Sequence, residues 1–560
     1  MRNDTEETAV AVSLEEFTRV CDEVDAQCAA VYSGVFAQWR TAAKAASYVE
    51  ALGRDDVPVK TCWDLAQATG YELAKPFQSL VGTNTWDHRQ LWARIAGLAS
   101  ATLTCAVGDL LGPGIALDET AQAKRGRHTA GVGVQYAGFA GGKVNCVTSV
   151  VLSLVTPDAS TWVANELFLQ AKQWFTGRGG KGTARRRGAG IGREVVFESK
   201  PQIARRMLGE LRSLGVGFAW AAGDEVYGRC SQLRREHEDH GEAYAYFVPR
   251  SFHVQVPSGA RLRADELRTH AQGRFETRSC GPGLNGPRWY EWAMIATASP
   301  EHFLLVRQAA DHHETGPDTP DTPDTPGADH APHRSAGSPA PNPRTTKLPP
   351  GTGFMYCHVP VNSPIAATLP SLLAMIGRRW PVEETIAIGK GPIGWDENQF
   401  RTYTSVQRHA ALCGMAMLKA TMVRTRLDHL DQAAPPPADA TDGPARPEPT
   451  PQAIPEPATT GRNRPTTNRP PPPAKVDHDC PIPTGDAPLP HRADQECPPD
   501  IGCIRLSLAE TLRLINIARS QISQAGKQFL LRWSVRRRRH QAIARWHHRR
   551  TRIAATSAGP

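Results

Sequence analysis

Three acidic positions stand out by the company they keep. Asp118 follows the apolar run of "GIALDET", and Asp224 follows "VGFAWAAG". Each carboxylate is therefore expected at the end of a buried strand, where an ionised acid costs free energy unless a cation offsets it. The third acidic position is a pair of neighbours, Glu383 and Glu384, in "RRWPVEETIAIGKGPIGW". Two strand-end aspartates and a helix glutamate, brought together, would repel one another strongly, and divalent ions with their preference for hard oxygen ligands resolve that repulsion. Two such ions about 3.5–4 Å apart can activate a water or hydroxyl and stabilise the leaving oxygen of a phosphodiester.

Helix geometry chooses between the two glutamates. At 3.6 residues per turn, Arg379, Glu383 and Lys390 share one face, whereas Glu384 is rotated by about 100°. Glu383 is thus the expected metal ligand, with Arg379 and Lys390 placed to hold phosphates. Glu384 is expected to be a supporting or solvated group. Gly389 and Gly391 weaken the helix where Lys390 sits.

The elements that must position these groups can be traced along the chain. Residues 1–110 are expected to form a helical, DNA-binding N-terminal domain. Ser13 and Glu16 make a capping box before the stripe Phe17, Val20, Val24, Cys28, Val31, Val35 and Trp39. Two short helical patterns flank Gly70, and a third starts near Asp87; this is a helix-turn-helix or a plain helical bundle. Residues 111–310 alternate strands and helices, with an antiparallel meander after Asp118, a helix carrying Ile203, Met207, Leu211 and Leu214, and a β-rich insertion from about residue 243. The Pro-rich stretches 311–350 and 434–500 are expected to be disordered linkers. They set off 351–433, with the glutamate helix, and 501–560, a basic helical arm.

Charge and composition limit the partners. The 560 residues carry a net charge of +9, and Ile501–Pro560 holds 13 Lys/Arg against the single acid Glu510, a balance of +12 that leaves the first 500 residues at −3. Clustered arginines (Arg536, Arg537, Arg538 and Arg539) interleaved with tryptophans favour a polyanion, nucleic acid before membrane. The twelve cysteines show neither a CxxC pair nor zinc spacing, and no apolar run reaches membrane-spanning length. A cytoplasmic, nucleoid-associated protein with no membrane partner is expected. The Gly-rich "TGRGGKGTARRRGAGIG" lacks the Gly-Lys-Ser/Thr order of a phosphate loop and is read as a solvated charge run, with backbone contacts to DNA from Arg185, Arg186 and Arg187 as the alternative.

The blocks "LDETAQAKRGRHTAGVGVQYAGFAGGKVNC", "FESKPQIARRMLGELRSLGVGFAWAAGDEVYG" and "RRWPVEETIAIGK", in that order, resemble the DDE transposases of bacterial insertion sequences, with their Tyr-Arg-Glu-Lys signature. The tyrosine of the signature falls at Ile376 here, and Trp395 stands where an aliphatic residue is usual. The resemblance implies an α/β, RNase H-like mixed-sheet catalytic domain with a β-rich insertion. It implies Asp118, Asp224 and Glu383 as the catalytic, metal-binding triad, holding two Mg²⁺ ions, or Mn²⁺ in their place. The implied reaction is metal-dependent cleavage and strand transfer at the element's ends and at a double-stranded DNA target, by a homodimer or larger assembly on DNA. The alternative is a non-cutting DNA-binding regulator, or decayed copy, derived from such an enzyme.

Overall fold

A computed structural model describes residues 13–105, 108–176, 181–271, 273–283, 286–310, 348–433, 505–520 and 523–557. The stretches read as linkers, 311–350 and 434–500, lie almost wholly outside the described residues.

Five helices open the chain: α1 (Leu14–Val35), α2 (Trp39–Leu52), α3 (Cys62–Ala68), α4 (Lys75–Gly82) and α5 (His88–Thr102). The Ser13–Glu16 capping box is formed, and the expected stripe is the buried face of α1 from Phe17 to Val35, whereas Trp39, expected to continue it, opens α2 and is 74% exposed. Gly70 separates α3 from α4 with a positive φ of 78°, a conformation that glycine adopts without strain. Asp87 caps α5.

The sheet follows. Strand β1 (Gly114–Ala123) runs straight through the acids, longer than "GIALDET" suggested. β2 (Gly133–Ala137), β3 (Gly142–Val155) and β4 (Ser160–Phe168) complete the antiparallel meander, and β2 and β4 pair in tandem with β3. α6 (Lys181–Gly188) and α7 (Lys200–Ser213) lead to β5 (Trp220–Gly223), α8 (Glu225–Gly228), α9 (Ser231–Asp239) and β6 (Ala243–Val248). β5 pairs parallel to both β1 and β6, whereas β3 is antiparallel to β1, so β4-β3-β1-β5-β6 is a mixed sheet of the RNase H-like kind.

The next segment extends that sheet instead of forming a separate one. After β7 (His253–Gln255), β8 (Arg261–Arg263) and α10 (Ala264–His270) come β9 (Glu276–Gly283), β10 (Gly286–Ala296), β11 (His302–Ala309) and β12 (Gly353–His358). β12 pairs antiparallel with β6, and β11, β10 and β9 continue the order to the far edge. Ala243–Val248, at the expected start of the insertion, is thus the last parallel strand, and β9–β12 are built onto its open edge.

The chain then forms α11 (Leu369–Arg379), α12 (Pro381–Lys390), the long α13 (Tyr403–Ala433), α14 (Leu508–Arg519) and α15 (Gln524–Ser557). One hydrophobic core joins α1–α5, α13 and α14 to one sheet face, through residues such as Phe77, Leu117, Leu152, Met207, Met417 and Leu512. The other face, with Ala116, Trp220 and Ala222, packs against Leu372, Met375 and Ile376 of α11. Position 376 is thus a core position in this chain, which accounts for isoleucine in place of a phenol there. Among the described residues, no helix is long and apolar enough to cross a membrane.

Candidate active site

Leu117 of β1 and Gly223 of β5 are partners in the parallel register, so the next residues, Asp118 and Asp224, leave adjacent strands side by side. Side chains alternate along extended backbone. Ala116 and Ala222 face the α11 core, and Asp118 and Asp224 stand two residues further along the same parity. Asp224 still has extended backbone (φ −78°, ψ −174°) but ends the strand by capping α8, its carboxylate accepting from the Val226 N–H at 2.9 Å. The strand stops here, at the expected place, because Asp224 satisfies an otherwise unpaired helix donor.

Alternation sends Glu119 to the other face, where it pairs with Lys200 at the start of α7 at 2.5 Å. That pair was not singled out in the sequence, although two consecutive acids inside a strand must diverge. Tyr227 of α8 donates to the Asp118 carbonyl at 3.3 Å, and burial, then Glu119, Asp224 and Asp118, raise its phenol well above the usual range. Asp224 is lifted to about 6, chiefly by loss of hydration and then by Glu119, against the opposing pull of Arg379, the Val226 N–H and Lys200. Burial disfavours the charged form of this carboxyl most, and a neighbouring acid adds to it.

Glu383 enters from α12. The anticipated single helix is two, because Pro381 supplies no N–H to continue α11. Trp380 between them keeps helical angles (φ −60°, ψ −34°), so the four-residue phase survives. Arg379 therefore lies 3.7 Å from Glu383 and, through its other terminal nitrogen, 3.7 Å from Asp118. Its guanidinium is buried and bridges the two acids, where the sequence suggested a phosphate clamp. The preceding Arg378 turns away to Asp109 at 2.5 Å. Glu384 diverges toward Arg424 of α13, which feels its charge.

Lys390, at the end of α12, donates to the Ala121 carbonyl of β1 at 2.8 Å. Burial lowers its pKa, against the charges of Asp396 and Asp118. The glycines expected to weaken this turn have a packing role. A Cβ on Gly389 would stand 2.1 Å from the Trp162 ring of β4, so only glycine lets α12 lie this close. Trp162 also donates to the Thr385 hydroxyl at 3.2 Å and packs on Trp395 at 4.9 Å between ring centroids. Thr385 and Gly389 of "TIAIG", together with Trp395, are the fittings that hold α12 on the sheet.

The four arginines of the tail lie elsewhere. Arg536–Arg539 are on α15, which packs against α14 and α1. Arg538 is buried and Arg539 exposed, while the side chains of Arg536 and Arg537 lie outside the described residues. α14 docks through Leu508, Leu512 and Ile515, and Arg519 pairs with Asp25 of α1. In the Gly-rich run, Arg185 and Arg186 cover Trp174 and Phe175 and donate to backbone carbonyls, which ties both to the fold.

Among the described residues, no three Asp, Glu, His or Cys side chains stand at metal-coordinating spacing. The donor set still suits a hard divalent ion: Asp118, Asp224 and Glu383 supply only carboxylate oxygens. No curated protein matches the chain. Residues 49–286, which carry Asp118 and Asp224 and end before Glu383, match the family model of the DDE superfamily endonucleases.

Proposed function

We propose that the protein is a transposase that cuts and joins DNA at the ends of an insertion sequence, using Asp118, Asp224 and Glu383 as its metal-binding triad. The observation that carries this reading is the register of β1 and β5, which sets Asp118 and Asp224 side by side with Arg379 linking Asp118 to Glu383. The three carboxylates would hold Mg²⁺ or Mn²⁺, which when bound supplies Lewis-acid activation of the attacking oxygen and stabilisation of the leaving one. Lys390, whose charge is felt at Asp118, adds positive charge near the acids and draws a phosphodiester toward them. Arg539, exposed on α15, gives a second, sequence-independent hold on the DNA backbone. Pairing of two element ends calls for a dimer or larger assembly.

The test is nicking of a supercoiled plasmid carrying the element's own ends, in Mg²⁺. Asp118→Asn, Asp224→Asn and Glu383→Gln should each abolish nicking, while Glu384→Gln should retain it; equal loss for both glutamates would refute the assignment. One observation favours a second reading, a DNA-binding regulator that does not cut: a guanidinium already bridges Asp118 and Glu383. Retained binding of the ends with no nicking by the wild-type protein would select that reading.

A further inference from the structure

Between α5, β4 and α7 lies a cavity of about 570 Å³, a volume usual for small-molecule sites. Val163, Met207 and Leu211 give it apolar walls. His88 and Trp92 line it as well, about one turn apart on the same face of α5. The Nε2 atom of His88 and the Nε1 atom of Trp92 are buried, and neither has a hydrogen-bond partner among the described residues. A buried polar group left unpaired costs about 1–3 kcal/mol, so two of them on one cavity wall call for an occupant.

The surroundings give each group its role. Nδ1 of His88 stands 3.6 Å from the Asp87 carboxylate, which favours the ring proton there. Burial brings the imidazole pKa down to about 4, so the ring is neutral at pH 7 and Nε2 is an acceptor. The Trp92 indole is a donor held in place by α13, where a Cβ on Gly414 would stand 2.3 Å from the ring. Arg206 is engaged by Glu166 and Glu210 at 3.2 and 3.1 Å. That leaves Arg89, exposed and three residues before Trp92, to meet an anion.

Gly209 is a second, independent sign. It lies inside α7 and on the cavity wall, at a helix position where glycine costs about 1 kcal/mol relative to alanine. A Cβ there would meet no atom within 4 Å, so packing does not require the glycine. Its missing side chain keeps the cavity clear.

We propose that this cavity binds a small planar aromatic acid. The ring lies against the apolar wall, a ring N–H donates to His88, and the acid group accepts from Trp92 and meets Arg89. The site goes beyond the endonuclease reading and uses none of its acids. Its occupant ties α5 of the opening helices to α7, whose Lys200 pairs with Glu119, the neighbour of Asp118.

The test is calorimetric titration of the full-length protein with indole-3-acetate. 3-Methylindole, which lacks the acid group, and naphthalene-1-acetate, which lacks the ring N–H, are the comparison probes. Indole-3-acetate should bind, and each comparison probe should bind roughly fivefold more weakly, the usual effect of one lost hydrogen bond. Gly209→Leu places a side chain in the cavity without a clash. It should keep the melting temperature of the wild type and weaken indole-3-acetate by about tenfold or more. Arg89→Gln, at an exposed position, should weaken indole-3-acetate by roughly fivefold and leave 3-methylindole unchanged. Absence of binding by the wild-type protein up to about 1 mM would overturn the proposal, since water would then serve the two ring nitrogens. Wild-type affinity in either variant would overturn it too, because the probe would then lie elsewhere.

Discussion

The guanidinium of Arg379 stands 3.7 Å from the carboxylate of Asp118, and both side chains are largely buried. Arg379 reaches Glu383 at the same distance, so one cation serves two acids carried by different elements. Removing it strands Asp118 beside Asp224 and Glu119. Arg379→Ala should therefore destabilise the protein in EDTA by roughly 3–5 kcal/mol, the usual cost of leaving a buried charge unpaired. Mn²⁺ should recover part of that loss. Thermal melts of wild type and variant, with and without Mn²⁺, measure both effects; a variant that melts like wild type in EDTA would mean that the bridge contributes nothing.

Asp224 presents the opposite case. Its carboxyl is held up to about 6 by lost hydration and by Glu119. The sign follows from proton counting: between the unfolded value near 4 and about 6, the folded state binds more protons, so the ionisation of Asp224 costs stability as pH rises through that window. Asn keeps the α8 cap, since its amide oxygen can accept from Val226. Asp224→Asn should raise the melting temperature by a few degrees at pH 7.5 in EDTA while abolishing nicking. A lowered melting temperature would contradict the account of the shift.

Gly389 tests how closely α12 must approach the sheet. Alanine there places its methyl group within 2.1 Å of Trp162, a rigid and fully buried ring. Overpacking of this kind costs about 1–3 kcal/mol or more. Since α12 also carries Glu383 and Lys390, Gly389→Ala should lower nicking along with stability. Gly391→Ala, 3.2 Å from the Ala387 carbonyl, should be the milder change. Denaturant melts and nicking rates for the pair give the comparison.

His409 sets an acid limit on the helical core. On α13 it is fully buried, bonded to the Tyr48 hydroxyl of α2 at 3.0 Å, and burial brings its pKa down to about 3. The unfolded chain takes up this proton near pH 6.5 and the folded one resists it to about 3, so stability should fall as pH drops below 6.5. Melting temperature against pH between 7 and 4 should slope less steeply in His409→Asn than in wild type. An unchanged slope would show that other groups set the limit.

Local patterns were legible in the sequence because they are set by neighbours. The Ser13 cap, the α1 stripe as far as Val35 and the Gly70 turn depend on spacings of three and four residues, and these are present. Asp118 and Asp224 could be found because an acid after an apolar run is conspicuous. What could not be read is set by contacts across long separations. Nothing local reveals that Arg379 bridges two acids, that Glu119 turns to Lys200, or that Gly389 is shaped to Trp162, 227 residues earlier in the chain. The helix boundary at Trp380–Pro381 was available from proline chemistry, but the intact phase across it was not. The basic tail read as a free arm, because the apolar stripe of α14 does not say which surface will cover it.

That shared core has a consequence for evolution and for engineering. Helix α13, which follows the glutamate helix in sequence, threads the middle of the opening helices, with Ala411, Leu412, Met415 and Leu418 wholly enclosed by them and by the sheet. The opening bundle is thus completed by a segment some three hundred residues downstream. Cutting the gene near residue 110 would not release a portable module; it would strip each fragment of its interior wall, and exchange with another enzyme would require rewriting both ends of the polypeptide together.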